Sequence, residues 1–205
     1  MTYYFRVLYN ILEGYLHKRD EIVPDAHWYS RVGISDIDMF FHMNNASYFR
    51  VAEYARWSWI HQSILGKIMK EKGVYIVMTL GAARFRRPIR FWQKYQIHSK
   101  MLDINDKEIC VQQSFYVGSQ FAASILLKGP LLRRSDNKPA NARQLYTEYI
   151  NDDKLIPKVE NGTSEYEALN QLFNLESFLL GKTSTVPPNG TTPASDSKKN
   201  EEKQE

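Results

Sequence analysis

The sequence predicts an α+β fold built from one long helix and the antiparallel strands that follow it. From Ala46 to Ile64 the chain contains no proline or glycine, and apolar residues recur at helical spacing. Strand-like segments then follow one another between turn signals, without further long helical patterns among them. This order predicts one helix followed by an antiparallel meander. At 205 residues and 43% hydrophobic, the chain is long enough for one core, and two full domains would be crowded.

The individual elements are predicted from composition and turn residues. The long helix should bend near Gly66 and end before Gly73. Turn signals stand at 103–106 and at Gly118-Ser119. The predicted strands are rich in β-branched or aromatic residues and comprise 27–32, 74–79, 82–87, 95–102, 108–117 and 121–127.

A run of polar residues, Asp36 to Tyr48, precedes the long helix. Either Asn44 or Asn45 is a suitable N-cap. The first turn of a helix offers unpaired backbone N–H groups and a positive dipole end, which favour an anion or a developing oxyanion. Asp38 lies just before that turn, where a carboxylate can activate water or attack directly. The simpler alternative is a surface loop whose polar groups satisfy one another.

This run resembles the signature of a known family, the hotdog-fold acyl-CoA thioesterases of the 4-hydroxybenzoyl-CoA thioesterase type. That signature reads D-x-D-x-x-G-H-x-N-N-x-x-Y followed by E-x-A-R, and the sequence H-M-N-N-A here is most similar to the branch of thioesterase superfamily member 6. The resemblance extends from about 25 to 181, through 81–88 and 165–177. Phe41 stands where the family has glycine, which narrows the conformations available to the turn. The matching residues are Asp36, Asp38, His42, Asn44, Asn45, Tyr48, Glu53, Ala55 and Arg56.

The resemblance implies a sheet wrapped around the central helix and hydrolysis of an acyl-CoA thioester. Asp38 would be the base or nucleophile, and the helix start around Asn45 would polarise the carbonyl. Glu53 is the rival carboxylate. The alternative for Glu53 is a structural ion pair with Arg56. Asp36 would orient the turn. Because family sites are shared between protomers and the sheet has free edges, a homodimer or a higher oligomer is expected.

Residues that bind the substrate are expected at the turn and on a basic segment. His42, Asn44 and Tyr48 belong to the motif, with His42 either contacting the substrate or capping the turn. Arg84 and Arg86 would share one face of a strand, with Arg87 on the other. Guanidinium groups suit phosphates, and the resemblance suggests coenzyme A. A solvated strand end is the plain alternative, and RNA binding is a weaker one because no RNA-binding motif accompanies the basic residues.

No metal or separate cofactor is expected, coenzyme A being part of the substrate. The five histidines form no short-spaced metal set, and the motifs of serine hydrolases, zinc proteases, P-loops and dinucleotide sites do not occur. The single cysteine, Cys110, excludes an internal disulfide and lies in an alternating strand, where a buried thiol is the favoured role.

The ends of the chain differ from its centre. Residues 1–24 form an amphipathic segment that is too short and too charged to span a bilayer and lacks the features of a secretory signal. It would either lie in a membrane interface or dock on the protein's own core. Residues 25–150 form the thioesterase-like domain, 151–183 a C-terminal helical extension with a capping box at Ser164, and 184–205 a disordered tail.

Two functions of different classes follow. The first is acyl-CoA thioester hydrolysis in the cytoplasm or at the surface of an intracellular membrane. The second is a non-catalytic hotdog protein that binds acyl-CoA or lipid at a membrane surface, which Phe41 in place of glycine favours. A secreted protein is not expected.

Overall fold

The computed structural model describes residues 2–16, 25–150 and 156–158, and isolated positions between 163 and 180. The predicted capping box at Ser164 and the tail at 184–205 lie outside the described residues. The helices are α1 (Thr2–Leu16), α2 (Asn45–Gln62), α3 (Ile64–Glu71) and α4 (Ala142–Ile150). The strands are β1 (Asp25–Arg31), β2 (Val74–Ile76), β3 (Leu80–Phe85), β4 (Lys94–Ile104), β5 (Ile109–Val117), β6 (Gln120–Gly129) and β7 (Leu131–Arg133).

Five strands form one antiparallel sheet in the order β1-β4-β5-β6-β3, and β2 pairs with β7 in a second, two-stranded sheet. The pairing of Trp28 with Ile97 fixes the register of β1 on β4, and the pairing of Phe115 with Ala123 fixes that of β5 on β6. The predicted antiparallel sheet is therefore confirmed. β4, β5 and β6 pair in chain order as a meander, whereas β3 pairs with β6 and β2 pairs with β7, which the predicted meander did not include. β1 and β3 are the edges of the large sheet, so each has one side without a neighbouring strand among the residues that the structure describes.

The long helix α2 lies against one face of this sheet. Its residues Val51, Ala52 and Ala55 are buried in one apolar cluster with Ile97 and Phe115 from the sheet. A second cluster continues the core toward α3 and α4. A sheet wrapped around one central helix is the hotdog fold, as the resemblance implied.

The break between α2 and α3 lies at Ser63, whose backbone is extended (φ −102°, ψ 166°). Gly66 follows three residues later, and a Cβ atom on it would lie 2.5 Å from the carbonyl oxygen of Ile60. Glycine is therefore required for the two helices to approach this closely. The predicted bend near Gly66 is confirmed, as is the end of the helix before Gly73.

The first strand after the helices is shorter than predicted, because the chain leaves one sheet for the other there. Val77 donates its N–H to the Pro130 carbonyl, and Thr79 donates to that of Lys128. A Cβ on Gly129 would lie only 1.7 Å from the Val77 oxygen, so this crossing depends on glycine. Two short elements, β7 and α4, had no clear sequence signal.

The N-terminal helix α1 docks on the protein's own core. Asn10 is buried and accepts a hydrogen bond from Trp28 Nε1 at 2.7 Å. Val7 packs against the main apolar cluster. The opposite side of α1 is apolar and faces outward, with exposed side chains at Tyr4, Phe5, Leu8, Tyr9, Leu12 and Leu16. Within the described part of the chain, no helix has the length and hydropathy needed to cross a membrane.

Candidate active site

The site is built on a short 3₁₀ turn, Ile34–Asp36, whose last residue is buried. The Asp36 side chain is only 1% exposed. Its Oδ2 accepts from the Gly33 N–H at 2.9 Å, and its backbone carbonyl accepts from the Asn44 N–H at 2.9 Å. These bonds tie the start of the polar run to its end, so the prediction that Asp36 orients the turn is confirmed.

Arg50 on α2 completes this anchor. Its Nη2 lies 2.8 Å from Asp36 Oδ1, 2.8 Å from the Ser35 carbonyl and 2.9 Å from Ser47 Oγ. One guanidinium group thus joins the turn to the first turns of α2. Sequence reasoning missed Arg50, although its spacing of three residues from Ser47 places the two on one helix face.

Asp38 closes the next turn on itself. Its Oδ1 accepts from the N–H groups of Phe40 at 2.9 Å and His42 at 3.3 Å, and its own N–H donates to the His42 carbonyl at 2.9 Å. Such bonds from an aspartate to the following backbone stabilise a tight turn. Asp38 is half-buried, and its Oδ2 accepts no hydrogen bond from the residues that the structure describes. One carboxylate oxygen is therefore held while the other is available.

Phe41 occupies the left-handed backbone region, with φ +58°. Glycine adopts this conformation freely, whereas a residue with a Cβ pays about 1–2 kcal/mol for it. Phe41 was expected to restrict the backbone conformations of the turn. The turn nevertheless keeps the left-handed conformation typical of glycine, and the backbone of Phe41 is strained as a result. The side chains of Met39, Phe40 and Phe41 project from the turn and are more than half exposed.

The start of α2 follows this turn directly, and the predicted N-cap is Asn44. Its Oδ1 accepts from the Ala46 N–H at 2.7 Å, while its backbone carbonyl accepts from Ser47 and Tyr48. The N–H of Asn45, the first residue of the helix, donates to no acceptor among the described residues. The amide of Asn45 is therefore the first-turn donor left for an anion at the positive end of α2.

Tyr48 lies beneath the turn as a packing residue. It is 2% exposed, and its ring centroid is 4.9 Å from that of Phe85 and 5.0 Å from that of Phe115. Burial raises the pKa of its hydroxyl, although a backbone hydrogen bond at Ile89 opposes the shift. The structure thus places Tyr48 in the core, where it supports the turn from below.

Glu53 lies eight residues beyond Asn45, which is about 12 Å along the helix. It is half-buried and shares no ion pair with Arg56. The Arg56 guanidinium instead donates to Gln113 Oε1 on β5 at 2.8 Å. Gln113 is fully buried and in turn donates to the Ala52 carbonyl and to Ser99 Oγ. This polar network, which had no signal in the sequence, fixes α2 to the sheet.

The segment that follows β3 pairs with the turn. The backbone of His42 is bridged to Arg90, and the Phe91 N–H donates to the Phe41 carbonyl at 2.9 Å. Of the basic residues, Arg90 is therefore brought next to the Asp38 turn. The His42 imidazole makes no hydrogen bond with the described residues, and it is the backbone of His42 that closes the turn.

The remaining arginines of the basic segment are distributed over different surfaces. Phe85 on β3 contacts Tyr48 on the helix side of the sheet, so Arg84, its neighbour, faces the outer side. Arg84 and Arg86 line one cavity on that outer side. Arg87 donates from Nη1 to Gln120 Oε1 at 2.8 Å. The predicted arginine set therefore does not converge on the turn within one protomer.

The amino-acid sequence is similar to a known protein family and to known relatives. The family profile of the Thioesterase-like superfamily matches residues 32–142. The protein THEM6 of Xenopus laevis is 30% identical over 127 residues, which cover 61% of this chain and 61% of that protein. THEM6 of Drosophila melanogaster is 29% identical over 117 residues, covering 56% of this chain and 61% of that protein. The chain thus spans about three fifths of the length of these relatives.

Solved structures are similar to the same region. The probable thioesterase YbaW from Escherichia coli has a TM-score of 0.57 at 21% identity, covering 60% of this chain and 95% of its own. Slr0204, a 1,4-dihydroxy-2-naphthoyl-CoA thioesterase from Synechocystis, has a TM-score of 0.52 at 13% identity, covering 63% and 98% respectively. At such identities the likeness establishes the shared hotdog fold.

Proposed function

Because the chain belongs to the Thioesterase-like superfamily, we propose that it hydrolyses acyl-CoA thioesters to a free acid and coenzyme A. The observation that carries this proposal is that two groups without a hydrogen-bond partner among the described residues lie at the same end of α2. These are the Asn45 N–H at the helix start and the Oδ2 of Asp38 in the turn just before it. One stabilises negative charge, and the other supplies a base or nucleophile.

The reaction follows from these two groups. Asp38 removes a proton from a water molecule, whose oxygen attacks the thioester carbonyl carbon. The carbonyl oxygen becomes an oxyanion that the Asn45 N–H and the α2 dipole stabilise. The carbon–sulfur bond then breaks, the thiol of coenzyme A leaves with the proton, and the acid is released. Direct attack by Asp38, followed by hydrolysis of the mixed anhydride, gives the same products.

Asp38 is favoured over Glu53 by position. The Asp38 turn is tied to the α2 start through Asp36 and Arg50, whereas Glu53 lies about 12 Å further along the helix. Glu53 reaches a helix start only if a second protomer supplies one. It is therefore kept as the carboxylate to be tested against Asp38.

The coenzyme A phosphates are assigned to arginines at the same end of the sheet. Arg90 is bridged to His42 beside the turn, and Arg87 follows β3. Their guanidinium groups match phosphate oxygens in geometry and charge. His42 and Asn44 border the thioester itself, with Tyr48 supporting them from the core. Arg84 and Arg86 join this set only if the substrate crosses the edge of β3.

A homodimer is part of the proposal. β3 is an edge strand, and Met39, Phe40 and Phe41 expose apolar surface around the turn. A second copy would pair the edge and exclude water from the reacting carbonyl. Size-exclusion chromatography with light scattering measures the mass directly, and a monomer at micromolar concentration would contradict this arrangement.

Substitution of Asn45 by proline tests the oxyanion donor. Proline removes the N–H while fitting the first position of a helix, and Asn44 already has the extended backbone (φ −70°, ψ 147°) that precedes proline. We expect Asn45→Pro to reduce thiol release by roughly 10²–10³-fold. Asn45→Ala, which keeps the N–H, is the matched control and should retain most activity. Equal rates for the two variants would contradict the assignment.

Substitution of Asp38 by asparagine tests the carboxylate. Asparagine still accepts from Phe40 and His42, so the turn should persist while the base is lost. Thiol release is measured with acetyl-, benzoyl-, decanoyl- and palmitoyl-CoA for the parent, Asp38→Asn and Glu53→Gln. We expect a loss of at least 10²-fold for Asp38→Asn. Full activity in Asp38→Asn with loss in Glu53→Gln would transfer the role to Glu53.

The exposed stripe of α1 favours a second function, a non-catalytic acyl-CoA- or lipid-binding protein at a membrane surface. Six large apolar side chains on one helix side suit insertion into the interface of a bilayer. Co-sedimentation with vesicles containing phosphatidylserine tests this, with Leu8→Gln/Leu12→Gln against Tyr29→Ser, an exposed site outside α1. Vesicle binding without thiol release from any acyl-CoA would support this function over hydrolysis.

A further inference from the structure

The outer side of the large sheet carries a cavity of about 430 Å³, on the opposite face of β3 from the Tyr48 contact. Its volume falls within the range of small-molecule sites. The floor is formed by outward-facing residues of β3, β5 and β6, and Gln171 and Leu175 from the C-terminal region border it. The cavity is thus separated by the sheet from the turn that holds Asp38.

The lining of this cavity changes from apolar to basic along β3. At one end, Ala82 and Leu126 adjoin the buried thiol of Cys110 and the side chain of Leu80. At the other end stand the guanidinium groups of Arg84 and Arg86. Four residues of extended chain from 82 to 86 span about 13 Å. The cavity is therefore long, with its charge at one end.

The charge at the basic end is not neutralised by the protein. The described lining includes no carboxylate, and neither guanidinium group makes an ion pair or hydrogen bond with the residues that the structure describes. Between the two ends, Gln112 Nε2 donates a hydrogen bond to Ser124 Oγ at 3.4 Å, so these two polar side chains are hydrogen-bonded to each other. Two adjacent guanidinium groups beside an apolar floor favour an anion that carries an apolar tail.

We propose that this cavity is a second ligand site, which binds a straight-chain carboxylate with its carboxyl group on Arg84 and Arg86 and its tail over Ala82 and Leu126. The ligand class is an amphipathic monoanion such as a fatty acid. This site goes beyond the hydrolytic turn, because its residues lie on the other face of the sheet. It gives the protein a means to hold a free acid away from the reacting groups.

Calorimetric titration of the full-length protein with decanoate tests the site. Butanoate has the same head without the long tail, and decyltrimethylammonium has the same tail with the opposite charge. We expect binding of decanoate to be at least tenfold tighter than that of either. Measuring binding rather than turnover keeps the test independent of the hydrolase proposal, and Asp38→Asn should bind decanoate as the parent does.

Substitutions of the residues that line the cavity test where decanoate binds. Arg84→Gln/Arg86→Gln should weaken decanoate binding by roughly tenfold or more, since charge-assisted hydrogen bonds are lost. Arg134→Gln, which changes an exposed arginine outside the cavity lining, should leave it unchanged. Ala82→Phe fills the apolar end and should abolish binding of decanoate without altering the thermal midpoint of the apo protein by more than a few degrees.

Three outcomes would overturn the proposal. The first is unchanged decanoate affinity in the Arg84→Gln/Arg86→Gln variant. The second is displacement of decanoate by coenzyme A, which would make the cavity part of the coenzyme A site. The third is a change of oligomeric mass in that variant without a change in ligand affinity, which would make this face a contact between copies of the chain.

Discussion

Asp36 and Arg50 form an ion pair of 2.8 Å in which the carboxylate is buried and the guanidinium is about one third exposed. The aspartate closes the 3₁₀ turn, and the arginine belongs to α2. The pair therefore sets the position of the Asp38 turn relative to the helix start that the proposed reaction uses. This one contact therefore serves both the stability of the fold and the proposed reaction.

Removing Arg50 should destabilise the protein, because a buried carboxylate then loses its counter-charge. For Arg50→Ala we expect a loss of about 2–3 kcal/mol in the free energy of unfolding, which is less than for a fully buried pair because the arginine is partly exposed. Urea denaturation measures it. Arg133→Ala, which breaks an exposed pair with Asp136, is the control and should have a much smaller effect. Equal effects for the two variants would show that Asp36 does not depend on Arg50.

Because the backbone at Phe41 is strained, two substitutions of this residue should change the stability of the protein in opposite directions. Phe41→Gly relieves a left-handed conformation but increases the entropy of the unfolded chain, so a net gain of roughly 0.5–1 kcal/mol is expected. Phe41→Val should lose about 1 kcal/mol, since β-branched residues tolerate φ +58° least. Thermal denaturation of the three proteins checks the order Gly, Phe, Val, and any other order would show that the turn adopts a different conformation.

The site residues that were predicted from the sequence belong to local patterns, whereas those that were missed make contacts with distant parts of the chain. Asp38 and Asn44 stand in a short local pattern, and a turn followed by an N-cap is recognisable from neighbouring residues alone. Arg50 and Gln113 act across the fold, on Ser35 and Ala52 respectively, and a single sequence does not show which distant groups meet. The site's local parts were therefore predictable, while its supporting contacts required coordinates.

The arginine segment shows the same limit in another form. Strand alternation correctly placed Arg84 and Arg86 on one face, and it did not indicate which face looks toward α2. The contact of Phe85 with Tyr48 decides that question. For α1, the sequence indicated an amphipathic segment and left open what it contacts, whereas the burial of Asn10 shows that this side of the helix faces the core.

Gly66 should not tolerate a side chain. In Gly66→Ala the new methyl group would lie 2.5 Å from the Ile60 carbonyl oxygen, so α2 and α3 would have to separate. A loss of about 1–3 kcal/mol in the free energy of unfolding is expected from such overpacking. Gly33→Ala is the matched control, because its Cβ would meet Asp36 Oδ2 at an ordinary 3.4 Å with φ −93°. A neutral Gly66→Ala would show that the helix junction is loose.

His98 on β4 should make the protein sensitive to mild acid. Its ring lies 3.9 Å from that of His27 and 4.5 Å from that of Tyr116, and its buried Nε2 has no hydrogen-bond partner among the described residues. Burial lowers the pKa of His98, the nearby His27 lowers it further, and Asp25 opposes the shift. The neutral ring is thus the form that the folded state prefers.

The sign of the pH dependence follows from that preference. Above about pH 6.5 His98 is neutral in both states, and its contribution to stability is fully present. As the pH falls from about 6.5 toward the lowered folded pKa, the unfolded chain binds the proton before the folded protein does, so the free energy of unfolding decreases. His98→Phe keeps the ring stack and removes the titration. Urea denaturation at pH 7.5 and pH 5 should therefore show a smaller acid loss in the variant, whereas an equal loss would assign the acid sensitivity to other groups.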